Sequence, residues 1–154
     1  MVVVDLLELP KSGALLGLDL GEKTIGVAVS DATRSIASPV ELIRKTKFTA
    51  EAERLFKLLD ERRATGIVIG LPINMDGTEG ARCQSSRAFA RNLVRLRDVP
   101  IAFWDERMSS MAVNRMLIGE ADVTRARRAE LVDKAAAAWI LQGALDRLRN
   151  PPLG

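Results

Sequence analysis

The chain has 154 residues, 23 Lys and Arg against 20 Asp and Glu for a formal net charge of +3, one cysteine (Cys83), and neither histidine nor tyrosine. That inventory excludes zinc sites built from His and Cys clusters, Ser-His-Asp triads, histidine general bases, tyrosine nucleophiles and an internal disulfide, and it leaves carboxylates with hard cations as the available chemistry. The length suits one domain with a real core, and the excess of arginine over lysine suits partners that carry phosphate or carboxylate.

Residues 1–12 read as an N-terminal extension, apolar but interrupted by Asp5 and Glu8 and lacking the basic leader of a signal peptide. No run is long and apolar enough to span a membrane, so a cytoplasmic protein is expected. A single domain is expected over 13–150. Gly13 to Leu20 and Thr24 to Ser30 read as two apolar strands joined by a tight turn at Gly21-Glu22-Lys23, an antiparallel hairpin. A third strand is expected near Ile36 to Ile43. From Thr49 to Arg63, Ala52, Leu55, Phe56, Leu58 and Leu59 recur at helical spacing. Gly66 to Gly70 follows as a buried strand, then a Pro/Asn/Gly loop from Leu71 to Gly77 and a second helix from Thr78 to Arg97. Val99 to Trp104 reads as a further strand. Ser109 or Ser110 can cap a short helix through Leu117, and a last helix is expected from Arg127 to Arg149, closed by Pro151-Pro152. Cys83 falls in a helix without a Cys or His neighbour and reads as structural. The order implies an α/β domain with a mixed sheet of about five strands, the first three antiparallel and the later ones parallel through right-handed crossovers.

Three carboxylates stand out against this frame. Asp19 lies inside an apolar strand, where an anion removed from water must be paired, protonated or bound to metal. Asp105 and Glu106 follow the strand ending at Trp104, at the sheet edge where ligands bind in folds of this class. Asp133 shares a helical stripe with Ala136, Ala137, Ile140 and Ala144 and has no basic residue three or four positions away. Each has an ordinary alternative: a strand-end cap for Asp19, a polar strand exit with local pairing to Arg107 for Asp105 and Glu106, and a helix N-terminal acid for Asp133.

The basic residues form their own pattern. The second helix carries Arg82, Arg87, Arg91, Arg95 and Arg97 with no acid after Glu79, and Arg87, Arg91 and Arg95 share one face. Such a stripe can follow a phosphate backbone, although charged helix faces are usually just solvated. Arg125, Arg127 and Arg128 form a second basic patch before Asp133, while Lys23 in the hairpin turn and Arg107 are further phosphate candidates. The loop Asn74-Met75-Asp76-Gly77 precedes a helix N-terminus, where backbone amides can also bind phosphate.

The segment Gly17-Leu18-Asp19-Leu20-Gly21-Glu22-Lys23-Thr24-Ile25-Gly26-Val27-Ala28 resembles the opening motif of the RuvX/YqgF family. Ile69 to Thr78, Asp105-Glu106-Arg107 and Val132 to Ala136 match its remaining motifs in order. Met108 stands where the family pattern has leucine. The resemblance implies a ribonuclease H-like fold and an acidic triad on Asp19, Glu106 and Asp133, with Asp105 as the rival to Glu106. It also implies two-metal hydrolysis of phosphodiesters with Mg²⁺ or Mn²⁺, Asp19 bridging both ions. Two substrates follow from it: the 5′ end of pre-16S ribosomal RNA, placed first, and four-way DNA junctions, whose paired cuts imply a homodimer. An Asp-Leu-Gly hairpin also resembles the opening of actin and sugar-kinase ATPases, but those close two such domains around nucleotide and this chain has room for one.

Overall fold

The computed structural model describes residues 4–108 and 125–149, with the side chains of 108 and 125–134 outside the description. A 3₁₀ turn at Leu6–Glu8 leads into strands β1 (Ala14–Leu20), β2 (Thr24–Ser30) and β3 (Ala37–Arg44), then helix α1 (Phe48–Glu61), strand β4 (Ala64–Leu71), helix α2 (Ala81–Leu96) and strand β5 (Ile101–Asp105). A second 3₁₀ turn, Glu106–Met108, follows β5, and the long helix α3 spans Arg125–Arg149. The short helix expected after Ser109 or Ser110 lies outside the described residues. The other elements fall within a few residues of the expected bounds. Helix α2 begins three residues later than its pattern suggested, because Thr78 is engaged in the preceding loop. Its amide and hydroxyl both donate to Asp76 Oδ1, while Asn74 N–H donates to Thr78 O.

The five strands lie in the order β3-β2-β1-β4-β5. β1, β2 and β3 form an antiparallel meander, whereas β4 joins β1 and β5 joins β4 in parallel. The β1–β2 connection closes through a 2.9 Å bond from Gly21 N–H to Thr24 O. Period-two side-chain alternation then divides the core between two faces. Leu16, Leu18 and Leu20 pack with Ile67, Ile69 and Ile101 against Leu55 and Leu59 of α1 and Ala90 and Leu93 of α2. On the other face Leu15, Val68 and Ala102 pack against Ala137, Ile140, Leu141 and Ala144 of α3. Each fully buried leucine or isoleucine contributes about 1.5–3 kcal/mol relative to an exposed one, so α3 is held chiefly by its apolar stripe. Gln142 ties α3 to the β3 edge, accepting from Ala37 N–H at 2.9 Å and donating to Ser35 O at 3.0 Å. Among the described residues no helix is long and apolar enough to cross a membrane.

Candidate active site

The alternation that buries Leu16, Leu18 and Leu20 under α1 and α2 turns Leu15, Gly17 and Asp19 toward α3. Asp19 is therefore half-buried near the C-terminal end of β1, paired in register with Gly26. Two strands away, β5 ends at Asp105 and the chain turns at Glu106, which comes back over β4. A Cβ built on Gly70 would lie 2.7 Å from Glu106 Oε1 and 2.8 Å from its Cγ, so the missing side chain at Gly70 makes room for this carboxyl. Asp19 and Glu106 meet there in a side-chain hydrogen bond. Burial, reinforced by the charge of Asp19 and by that bond, pushes Glu106 up to about 8, with Arg82 the opposing influence. At neutral pH the two carboxyls thus hold a proton between them.

The neighbouring acid has a different environment. Asp105 Oδ1 accepts from Arg107 N–H at 2.9 Å, and its Oδ2 accepts from two nitrogens of the guanidinium, at 2.9 Å from Nε and 2.6 Å from Nη2. The Arg107 bonds hold Asp105 below the usual carboxylate range. Of the two rivals, Glu106 is the one brought to Asp19. Asp133 lies on α3 one turn before Ala137, whose carbonyl oxygen sits 3.1 Å from a Cβ built on Gly17. The Asp133 side chain is outside the described residues, and among those that are described no group of three or more Asp, Glu, His or Cys could hold a metal. What is present suits a hard divalent cation: a pair of carboxylates, all oxygen donors, close enough that one must otherwise keep a proton.

The family model for RuvX, described as Holliday junction resolvase, matches residues 13–147. The chain belongs to the RuvX family. A relative from Phenylobacterium zucineum, named as a candidate pre-16S rRNA nuclease, is 77% identical over 97% of this chain and 99% of its own length. One of the same name from Caulobacter vibrioides is 68% identical over 92% of each chain. Among solved structures, Thermus thermophilus RuvC in complex with Holliday junction substrate covers 90% of this chain and 97% of its own, at 14% identity and a TM-score of 0.56. The fowlpox virus Holliday junction resolvase covers 88% and 99%, at 9% identity and a TM-score of 0.50. At such identities these last two establish the fold, a RuvC-like ribonuclease H fold.

In this RuvX chain the arginine stripe of α2 is divided. Arg87 is taken by Glu79, at 2.7 and 2.8 Å, and its guanidinium lies 5.0 Å from the Phe103 ring centroid. Arg97 pairs with Asp60 at 2.6 Å and covers Phe56. Arg91 and Arg95 are exposed, Arg95 touching Asn92 at 3.4 Å, and Lys23 is exposed in its turn. Arg107 also donates to Asn74 O at 3.3 Å, bracing the loop before α2. The side chains of Arg125, Arg127 and Arg128 lie outside the described residues. Arg82, counted in the sequence as one of a stripe, has a separate position: it reaches Leu20 O at 3.5 Å and acts on Glu106. Lys45 and Phe89, which border a groove beside it, were not foreseen. The available signal was the recurrence of Arg82, Ser86 and Phe89 at i, i+4 and i+7 on a helix that starts at the ligand-binding edge of the sheet.

Proposed function

We propose that this RuvX protein is a divalent-metal-dependent endonuclease that trims the 5′ end of pre-16S ribosomal RNA in the cytoplasm. Asp19 and Glu106, joined by Asp133 from α3, are the proposed ligands for Mg²⁺ or Mn²⁺. The observation that carries this reading is the Asp19–Glu106 pair: two carboxyls, one from β1 and one from the turn after β5, brought together in a side-chain hydrogen bond where Gly70 leaves room for Glu106. Structural ion networks avoid such like-charge contacts, while sites for a divalent cation require them. The names of the relatives, at 77% and 68% identity, supply the substrate.

When bound, a pair of such ions activates water and stabilises the departing oxyanion of a phosphodiester. The protein's part is to hold the ligands. Asp19, fixed by the β1 ladder between β2 and β4, would hold the ions together with Glu106 and Asp133. Arg82, whose charge acts on Glu106, would receive the phosphate that approaches the acids. Asp105 keeps Arg107 on the loop before α2 and takes no direct part.

Incubation with Mn²⁺ of a precursor 16S 5′ leader and, in parallel, a four-way DNA junction tests the reading. The leader should be cut by the wild type and not by Asp19→Asn. Junction cleavage alone, by a dimer, would transfer the assignment to the Holliday junction resolvase activity for which the family is described. Cutting of the leader by Asp19→Asn at the wild-type rate would remove the acidic pair from the chemistry.

A further inference from the structure

On the opposite side of the sheet edge from the acidic pair, the end of β1, the hairpin turn and the first turns of α2 enclose an open groove of about 140 Å³. Leu20 and Phe89 form its apolar floor, Gly21 and Glu22 of the turn one rim, and Lys45 and Arg82 bring cations from two different elements. Phe89 is half-buried and braced edge-to-face by Phe48, with centroids 5.4 Å apart and an 83° angle between the rings, so its position is fixed by the core. Arg82 spends one guanidinium N–H on the long 3.5 Å bond to Leu20 O, out of five that the side chain carries. Lys45 is half-exposed just beyond β3, its backbone anchored by a 2.9 Å bond from Lys45 N–H to Lys23 O.

We propose that this groove is the subsite for a single nucleotide flanking the cleaved bond, with Phe89 under the base, Lys45 on the adjoining phosphate, and Arg82 spanning the groove and the acidic pair. An aromatic floor between cations is the arrangement by which single strands are bound without reading their sequence, since every base has a π-face and every link a phosphate. The space suits one ring system and is too small for a base pair. Among the described residues that line it, Glu22 is the single anion against two cations, so the groove attracts phosphate on balance. A strand threaded here must be unpaired next to the cut, which is the condition of a leader trimmed from the end of a folded RNA. The proposal relies on the nuclease reading for where the strand goes next.

Binding of short fluorescent single strands without divalent ions, in RNA and in the same sequence as DNA, tests the groove apart from catalysis. An abasic version of each strand removes the base and keeps the phosphates. The wild type should bind the intact strand more tightly than the abasic one, and Phe89→Leu should erase that advantage, weakening the intact strand roughly 5- to 150-fold. Lys45→Gln should weaken both strands alike and reduce the slope of log K against log salt by about 0.7. Lys45 is half-exposed, so its variant reports even if Phe89→Leu lowers the melting temperature. The nucleic acid bound more tightly identifies the source of the strand. Wild-type affinity and salt slope in folded Lys45→Gln, with the abasic penalty intact in Phe89→Leu, would overturn the proposal. If that happens while Mn²⁺ still drives cleavage, the groove fails and the nuclease stands. If the variants lose binding but no cleavage occurs, the nuclease fails and the groove stands.

Discussion

Glu106 stands over Gly70, and the contact leaves no room for a side chain there: an added Cβ would meet Glu106 Oε1 at 2.7 Å and Ile140 Cδ1 at 2.6 Å. The contacts are with two flexible side chains, the end of Ile140 and the body and carboxyl of Glu106, so the fold can absorb a methyl group while the Glu106 side chain cannot keep its place. Gly70→Ala should retain a cooperative melt, displaced by a few degrees, and lose at least about 10-fold in metal-dependent cleavage, in line with the cost of misplacing a reacting group by about 1 Å. A variant that cuts at the wild-type rate would show that Glu106 need not rest on the sheet.

Gly17 is different because its neighbours cannot yield. An added Cβ would meet Leu141 Cβ at 2.6 Å and Ala137 O at 3.1 Å, so α3 itself must move away from β1. Overpacking of this kind costs about 1–3 kcal/mol. For a chain of this length that lowers the melting temperature by about 2–4 °C per kcal/mol. If Asp133 completes the proposed ligand set, the same movement of α3 disturbs it, so Gly17→Ala should lose both stability and Mn²⁺ affinity, read by thermal denaturation and calorimetric titration. Loss of stability with full Mn²⁺ affinity would take Asp133 out of the ligand set.

The contrast between these two glycines indicates how far the sequence could be read. The near-continuous apolar runs of β1 and β2 and the helical spacing of Leu55 and Leu59 were strong enough to give the meander, the parallel strands and the alternation of helix and strand that follows it. The position of Asp19 in an apolar strand was legible for the same reason, because burial of an anion is a conspicuous cost. The choice between Asp105 and Glu106 was not, since adjacent residues on a strand point to opposite faces and the 3₁₀ turn that swings Glu106 back over Gly70 leaves no trace in spacing. Nor was the fate of Arg87. Glu79 lies eight residues before it, outside helical pairing distance by sequence, and reaches it only because α2 starts at Ala81 and the chain before it folds back.

Glu106 also gives the metal-free protein a distinctive pH response. Its carboxyl is raised from an ordinary 4.5 to about 8, chiefly by burial and then by Asp19, so the folded state holds a proton that the unfolded chain releases. Stability therefore falls as pH rises above about 4.5 and stops falling above about 8. Chemical denaturation in chelator at pH 6 and pH 8 should show the wild type weaker at pH 8, with Glu106→Gln flattening the difference. Mn²⁺ should reverse the order, stabilising more at pH 8 than at pH 6, because a cation takes the place of that proton. Equal stability of the wild type at the two pH values in chelator would contradict the shared proton.

The arginines of α2 separate by what already holds them. Arg87 is engaged by Glu79 and stacked on Phe103, so it belongs to the packing of α2 on β5. A half-exposed ion pair and a cation–π contact together are worth about 1 kcal/mol. Arg91 and Arg95 are exposed and meet no carboxylate in the ion pairs described, so a phosphate backbone is the partner their charge can serve. Arg87→Ala should lower the melting temperature by a few degrees. It should leave the salt dependence of nucleic-acid binding nearly unchanged. The double variant Arg91→Ala/Arg95→Ala should melt like the wild type yet flatten the log K against log salt slope by about 1.4 for a single strand, two phosphates' worth. If Arg87→Ala flattens the slope and the double variant does not, the strand crosses the molecule over β5 and not along the outer face of α2.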